Sequence, residues 1–395
     1  MKKYVGPFIL VASLFFLWGF AHSILDVLNK HFQDVLVISK ARSALVQAMV
    51  YGGYFLMAIP AGMIIRKWGY RTGVVLGLTL YGIGALLFIP GASVMSFPFF
   101  LLCLFIIGCG LTCLETSANP YISVLGDPAK SAQRLNLAQS LNGLGWIVGP
   151  FIGGLLILGE DSNIALPYAV VGIVVLLLAV VFSRLRLPEV TGSAEAEDTT
   201  SPTSSEKPLI RQGMFVFGVL SLFFYVAAQT GINSFFINYT TETDPGLSAQ
   251  TAAYLLSFGG MGMFFVGRLL GSWLLNYIKP YNLLAINVAA ATVCVVLVII
   301  GLGRVSVVAL CAIYLFESIM FPTIFSLALE GIGPAQTKSA SSILVMSIVG
   351  GAVAPMLMGV IGEKNMAVGF ILPLVCYLVI LIYALRKRKL GRSTA

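Results

Sequence analysis

Charge is scarce in this chain. Asp, Glu, Lys and Arg together make up 10% of its 395 residues, against about 25% in ordinary soluble domains. So few charges cannot coat a water-facing surface, which excludes a soluble globular protein. Histidine is scarcer still, with two residues, and the six cysteines (103, 109, 113, 294, 311 and 376) all fall within apolar runs. Cys109 and Cys113 share a helix face but lack a second thiol pair or a histidine partner. They read as small hydrophobes, so neither a metal centre nor a disulfide framework is expected. No segment outside the apolar runs is long enough to form a catalytic domain, and none carries a nucleophile paired with a base, so no enzyme and no cofactor is expected. Alternating strand patterns of the outer-membrane barrel type are missing. A small-residue cleavage site after the first apolar run is missing too, so that run is expected to be retained.

What fills the chain is apolar. Hydrophobic residues make up 58% of it, and the mean hydropathy is +0.95. A bilayer core about 30 Å thick needs roughly 20 apolar residues per helical crossing, and twelve such runs can be read. They lie near 7–29, 43–65, 72–94, 97–124, 132–158, 166–187, 212–238, 250–276, 282–302, 305–329, 338–361 and 366–386. The expected fold is an all-α polytopic membrane protein with 12 transmembrane helices. Of the 24 Lys and Arg, 18 fall on the side of the membrane that holds the N-terminus. The exceptions are Lys30, Lys40, Arg42, Arg304 and Lys364 opposite, and Arg268 within a span. The positive-inside rule then puts both termini in the cytoplasm, and the net charge of +8 needs no nucleic-acid partner to explain it.

Between the sixth and seventh spans lies "PEVTGSAEAEDTTSPTSSEKP", polar and free of bulky apolar side chains, as a disordered linker is. It divides the chain into an N-terminal six-helix bundle (1–187), a cytoplasmic linker (188–211) and a C-terminal six-helix bundle with a basic tail (212–395). The halves repeat. "LETSANPYI" in span four matches "FESIMFPTI" in span ten, aligning Glu115 with Glu317 and Pro120 with Pro322. "GPFIGG" matches "APMLMG" one span later, and "FAHSILD" in span one pairs more loosely with "AAQTGIN" in span seven, setting His22 against Gln229 and Asp26 against Asn233. Three helix pairs in one order point to duplication. Two parallel six-helix repeats around a midplane site suit alternating access, and a channel would not need this symmetry.

Four charged side chains lie well inside the spans: Asp26, Glu115, Arg268 and Glu317. In hydrocarbon each needs water, a partner or a proton. The "GDPAKSAQ" turn makes spans four and five an antiparallel hairpin, and counting out from it sets Glu115, near Asn119, at the depth of Gln139 and Asn142. A carboxyl beside two amides suits a ligand covered in hydroxyls; the alternative for the amides is a hydrogen bond that holds helices together. Asp26 lies one turn beyond His22, and the two could form a proton path, unless Asp26 sits in interfacial water paired with Lys30. Trp18 and Trp146 could stack on a sugar ring or only pack. Arg268 is expected near an inner gate or paired with a carboxylate.

The stretches "SLFFLWGFAHSILDVLNKHF", "YGGYFLMAIPAG", "GLTCLETSANPYISVLG", "RLNLAQSLNGLG" and "FPTIFSLALEGIG" together resemble the fucose:proton symporter family of the major facilitator superfamily. The likeness covers both halves. It implies the major facilitator fold and proton-coupled uptake of a monosaccharide such as fucose, glucose, galactose or N-acetylglucosamine across a bacterial inner membrane, by a functional monomer. The family's acidic pair falls on Asp26 and Glu115, and its sugar-facing amides on Gln139 and Asn142. "HSILD" stands where the fucose transporters carry "NNLND", and Phe321 where they have Tyr, which turns the expectation toward a glucose/galactose-type hexose. Asn119, His22, Trp18, Gln229, Asn233, Glu317 and Phe321 complete the expected sugar site. "GMIIRKWGYR" is a degraded gating motif, with Arg66 where Asp is usual, and makes Arg66, Lys67 and Arg71 gating candidates with Arg268. "GWIVGPFIGG" resembles the signature of drug:proton antiporters, so efflux is the alternative activity, with a non-transporting sugar receptor behind it.

Overall fold

A computed structural model of the chain describes residues 2–124, 131–159, 163–185, 208–332, 336, 340 and 343–393; the side chains at 2–7, 66, 119–120, 122–124, 131–137 and 391–393 are not described. The expected turn at Gly126, Asp127 and Pro128 and most of the expected linker lie outside the described residues. The linker's end does not: Leu209–Arg211 form a 3-10 turn leading into the next helix.

Eleven helices among the described residues are long and apolar enough to cross a membrane. They are α1 (Phe8–Leu36), α2 (Lys40–Ile65), α3 (Lys67–Val94), α4 (Phe97–Val124), α6 (Ala165–Arg184), α7 (Gly213–Thr243), α8 (Ala249–Leu274), α9 (Pro280–Ile300), α10 (Arg304–Leu329), α11 (Ile343–Ile361) and α12 (Met366–Leu390). The remaining expected span is helical as α5 (Ser131–Leu156), but Gln139, Ser140, Asn142 and its glycines make it less apolar than the others. No strand occurs among the described residues. With no water to satisfy backbone groups in a bilayer, helices that close their own hydrogen bonds are the permitted solution.

The chain separates into two compact units, Met1–Val37 with Leu45–Glu197, and Ile38–Ala44 with Asp198–Ala395. In the first unit α1 packs on α5 so closely that a Cβ at Gly145 would collide with the Phe16 carbonyl, and one at Gly149 with the Ser23 hydroxyl. The second unit repeats the arrangement: a Cβ at Gly350 of α11 would meet the Phe223 carbonyl of α7. Likewise α2 packs on α4 at Gly53, and α8 on α10 at Gly267. Small residues at such crossings let backbones approach and gain dispersion contacts where lipid offers no hydrophobic drive. The duplicated sequence thus gives duplicated helix pairs. The halves differ at α10, whose helix breaks at Ser318 and Ile319, immediately after Glu317, whereas α4 runs unbroken through Glu115.

Segment Ile38–Ala44 groups with the second unit although it precedes α2's main body. Lys40 explains this. Its Nζ lies 2.6 Å from Glu242 and donates to the carbonyls of Gly362 and Glu363, and its backbone N–H donates to the Glu363 carboxylate. Lys40 is 9% exposed, so its charge depends on these partners. Glu242→Gln is expected to destabilise the protein by about 1–3 kcal/mol, as a largely buried cation loses its counter-charge, read as a lower unfolding temperature in detergent. An unchanged temperature would show that the Gly362 and Glu363 carbonyls suffice.

Candidate functional site

The first unit gathers its polar residues around one face of α2. Gln47, Tyr51 and Tyr54 stand at i, i+4 and i+7 and so share that face. Gln47 donates through Nε2 to Asp26 Oδ1 at 2.9 Å. Asp26 is 2% exposed, and its other oxygen has no partner. The alternative placing Asp26 in interfacial water with Lys30 is therefore overturned: Lys30 pairs with Asp34 at 2.7 Å.

Two turns along α2 from Gln47, the Tyr54 hydroxyl accepts from Trp18 Nε1 at 2.7 Å and lies 3.1 Å from His22 Nε2. The Glu115 carboxyl of α4 lies within hydrogen-bonding reach of the same hydroxyl. His22 stacks on Trp146 of α5, with ring centroids 5.9 Å apart and planes within 17°, and touches Tyr51, Tyr54 and Trp18 edge-on or tilted. Trp18, Tyr54, Glu115, Gln139 and Trp146 are each half-buried. The result is a partly open aromatic shelf with a carboxyl at its edge, and no ion pair among the described residues involves Asp26 or Glu115. Both carboxyls are held by neutral partners.

The two amides expected beside Glu115 differ in their surroundings. Asn142 donates through Nδ2 to the Phe15 carbonyl of α1 at 3.0 Å and is 6% exposed. Gly19, one turn from Phe15, lies so close that its Cβ would strike the Asn142 backbone. Asn142 thus works as the interhelical bond that was the alternative for it. Gln139 is half-buried, and no hydrogen bond among the described residues joins either amide to Glu115. The side chain of Asn119 lies outside the described residues.

In the second unit Glu317 corrects its expectation. Alignment with Glu115 set it facing open space beside a cation or sugar; instead it is 0% exposed. Its Oε2 accepts from the Tyr377 hydroxyl of α12 at 2.9 Å, and Tyr225 donates to its backbone carbonyl at 3.1 Å. The Gln229 amide lies alongside the carboxyl, while Oε1 has no aligned hydrogen bond. Just after Glu317 the regular hydrogen bonding of α10 lapses at Ser318 and Ile319. Phe321 is half-buried, 6.1 Å from Tyr225 and 6.2 Å from Phe325 between ring centroids. Asn233 is 5% exposed with Oδ1 unpartnered.

The expected gating residues are dispersed. Arg71 donates to the carbonyls of Phe182 and Ser183, capping the end of α6, where orphan carbonyls favour a cation. Lys67 is exposed over the Trp68 ring, at 4.9 Å. The side chain of Arg66 lies outside the described residues. Arg268 stacks over Phe264 at 4.8 Å with its Nε unpartnered, so the expected carboxylate partner is replaced by an aromatic ring.

Gln47, Tyr51, Tyr54 and Tyr377 were not singled out in the sequence. For the first three, a signal was available in their i, i+4, i+7 spacing within an apolar span. For Tyr377 none was, because its partner lies sixty residues away on another helix.

Two repeated six-helix units with buried or half-buried carboxyls inside apolar spans, and an aromatic shelf in the first unit, define a polytopic membrane protein. The model of the Major Facilitator Superfamily matches residues 8–355. The L-fucose-proton symporter of Escherichia coli K12 is 36% identical over 97% of this chain and 93% of that protein, and a glucose/galactose transporter of Brucella abortus is 34% identical over 97% and 94%. A putative glucose/galactose transporter of Helicobacter pylori is 37% identical over 96% of each. Among solved structures, the E. coli fucose:proton symporter in the outward conformation matches with a TM-score of 0.69 at 35% identity, covering 97% of this chain and 99% of that one. The chain belongs to the Major Facilitator Superfamily, and its relatives include both fucose and glucose/galactose transporters at similar identity.

Asn142→Ala is expected to act on stability: it strands the Phe15 carbonyl and should cost about 1–3 kcal/mol, lowering the unfolding temperature in detergent while ligand affinity in the folded fraction is kept. Gln139→Ala should do the reverse, weakening ligand binding several-fold, about one hydrogen bond of 0.5–1.5 kcal/mol. Equal effects of the two on binding would refute this division.

Proposed function

We propose that this chain is a proton-coupled symporter that imports a neutral glucose- or galactose-type hexose by alternating access. It works as a monomer in the bacterial cytoplasmic membrane with both termini in the cytoplasm. The observation that carries this reading is the neutral partnership of Asp26 and Glu115 beside the aromatic shelf. A carboxyl fixed by Arg or Lys forms a permanent ion pair, whereas one held by an amide or phenol can gain and lose a proton without breaking one. The symporter and transporter names of relatives covering nearly the whole chain support the same activity, and the positive-inside asymmetry supports the orientation.

Trp18, His22 and Trp146 offer apolar ring faces to a pyranose, and Gln139 offers an amide to its hydroxyls. A sugar that binds better when Glu115 is protonated is driven inward by the proton gradient through its differential affinity for the two conformations. Asp26, sealed against Gln47, serves as a second proton station. Glu317 lies outside the coupling path in this reading, since its carboxyl is enclosed by Tyr377 and Gln229. Asn119, Gln229, Asn233 and Phe321 are left as secondary sugar contacts.

Efflux loses its specific support. The glycines of "GWIVGPFIGG" are occupied in packing: Gly145, Gly149 and Gly153 abut Phe16, Ser23 and Val27 of α1. They are accounted for by close helix contact without an antiport role.

Purified protein in proteoliposomes tests the substrate class. Uptake of labelled glucose driven by an imposed pH gradient should be inhibited by glucose and galactose, and inhibition by fucose alone would refute the hexose assignment. In the same vesicles Glu115→Gln is expected to retain sugar-for-sugar exchange and lose gradient-driven accumulation. Wild-type accumulation by that variant would remove Glu115 from the coupling role.

A further inference from the structure

Three groups meet at the Tyr54 hydroxyl, which has one hydrogen to donate. Trp18 Nε1 is a donor only, so at 2.7 Å it permanently occupies one lone pair of the phenolic oxygen. One lone pair and one hydrogen remain, to be shared between Glu115 and His22 Nε2. These two partners must therefore take opposite roles. An ionised Glu115 can only accept, so it takes the Tyr54 hydrogen, and His22 must donate through Nε2–H. A protonated Glu115 donates its own hydrogen to Tyr54, whose hydrogen then turns to His22 Nε2. That nitrogen must now accept, and the imidazole proton moves to Nδ1, the Nε2 proton being released to water as one is taken up at Nδ1. Proton count on His22 is unchanged.

Resting on the symport reading, we propose that Tyr54 is the positioning residue that converts the protonation of Glu115 into a change of His22 tautomer. The ligand then meets Nδ1 as an acceptor when Glu115 is ionised and as an N–H donor when Glu115 carries a proton. This gives proton and sugar a shared switch within one unit, on three helices, with no movement of a backbone. Among the described residues no hydrogen bond occupies His22 Nδ1, and the shelf formed by Trp18, His22 and Trp146 is where a sugar ring would rest. Other titratable groups near the hub are Asp26 one turn along α1, Tyr51 on α2, and Cys109 of α4, which lies against the Gly53 carbonyl. Lys and Arg are missing from this set. Between about pH 5 and 8 thiols and phenols stay protonated at their ordinary values, which leaves the two carboxyls and His22 itself.

The chain's two histidines make the switch observable. In a His31→Gln background, 15N-histidine spectra of the detergent-solubilised protein distinguish both neutral tautomers of His22 from the imidazolium. The expected result is a pH-dependent exchange between neutral tautomers that is lost in Tyr54→Phe and in Glu115→Gln. The same exchange persisting in Tyr54→Phe would overturn the relay. Should His31→Gln fold poorly, both histidines are labelled and His22 is assigned by its response to Glu115→Gln. As a second measurement, equilibrium binding of D-glucose should change about ten-fold across the same pH range in the wild type, the effect of one hydrogen bond of ~1.4 kcal/mol, and stay nearly constant in Tyr54→Phe. A Tyr54→Phe protein with the wild-type pH response would also overturn the proposal. Wild-type protein that binds no glucose would count against the hexose reading alone, since the tautomer spectra decide the relay without a sugar.

Discussion

A carboxyl inside a bilayer must be given a partner, and the choice of partner decides what it can do. This protein gives Asp26 an amide, Glu115 a phenol and Glu317 a phenol, and it uses no Lys or Arg among the described residues for any of them. Cationic partners would have been the stronger electrostatic solution in a low-dielectric interior, but they would have locked each charge in place. Neutral hydrogen bonds leave the proton as the variable. Much of the first unit follows from this constraint, because each neutral donor must be held within about 3 Å of its acceptor by helices that do not bend to meet it.

The glycine crossings provide that positioning. α1 carries Trp18, His22 and Asp26 on one side and meets α5 at Gly145 and Gly149, where any side chain would force the helices apart. The Asn142 bond to the Phe15 carbonyl fixes the register of the same pair. Together they set His22 against Trp146 and bring Trp18 and His22 to Tyr54. A substitution in this packing would therefore reach the site through geometry, without touching a ligand.

The architecture was legible because hydrophobic runs and charge asymmetry are properties of short windows of sequence. The acidic residues were legible for the same reason: Asp26 and Glu115 stand out against apolar surroundings. Their partners Gln47 and Tyr54 left a weaker trace, a shared face of one apolar helix, and which carboxyl each would meet depends on the helix opposite. Asn142 shows the reverse failure. Its depth could be counted from the turn, but whether it faced a cavity or the α1 backbone depended on the rotation of α5, which the glycine contacts settle. The repeat was a partial guide at Glu317, because alignment transfers position along a helix and not the neighbours, Tyr377 and Tyr225, that enclose the residue in its own unit.

Those neighbours separate the fates of two aligned carboxylates. α4 continues through Glu115 and leaves it half-buried, open to exchange with whatever enters the shelf. α10 is irregular just after Glu317, which is enclosed by Tyr225 and Gln229 of α7 and Tyr377 of α12. Glu317, with no exposed surface and no second carboxyl beside it among the described residues, is closed to ready proton exchange, whereas Glu115 at the edge of a shelf is open to it. Duplication supplies two equivalent positions, and the surroundings of each then make one of them suited to moving a proton and the other to holding its own unit together. Coupling in a two-unit carrier needs only one such exchanging site, provided that the same site also senses the ligand, and Tyr54 joins those two requirements in a single hydroxyl.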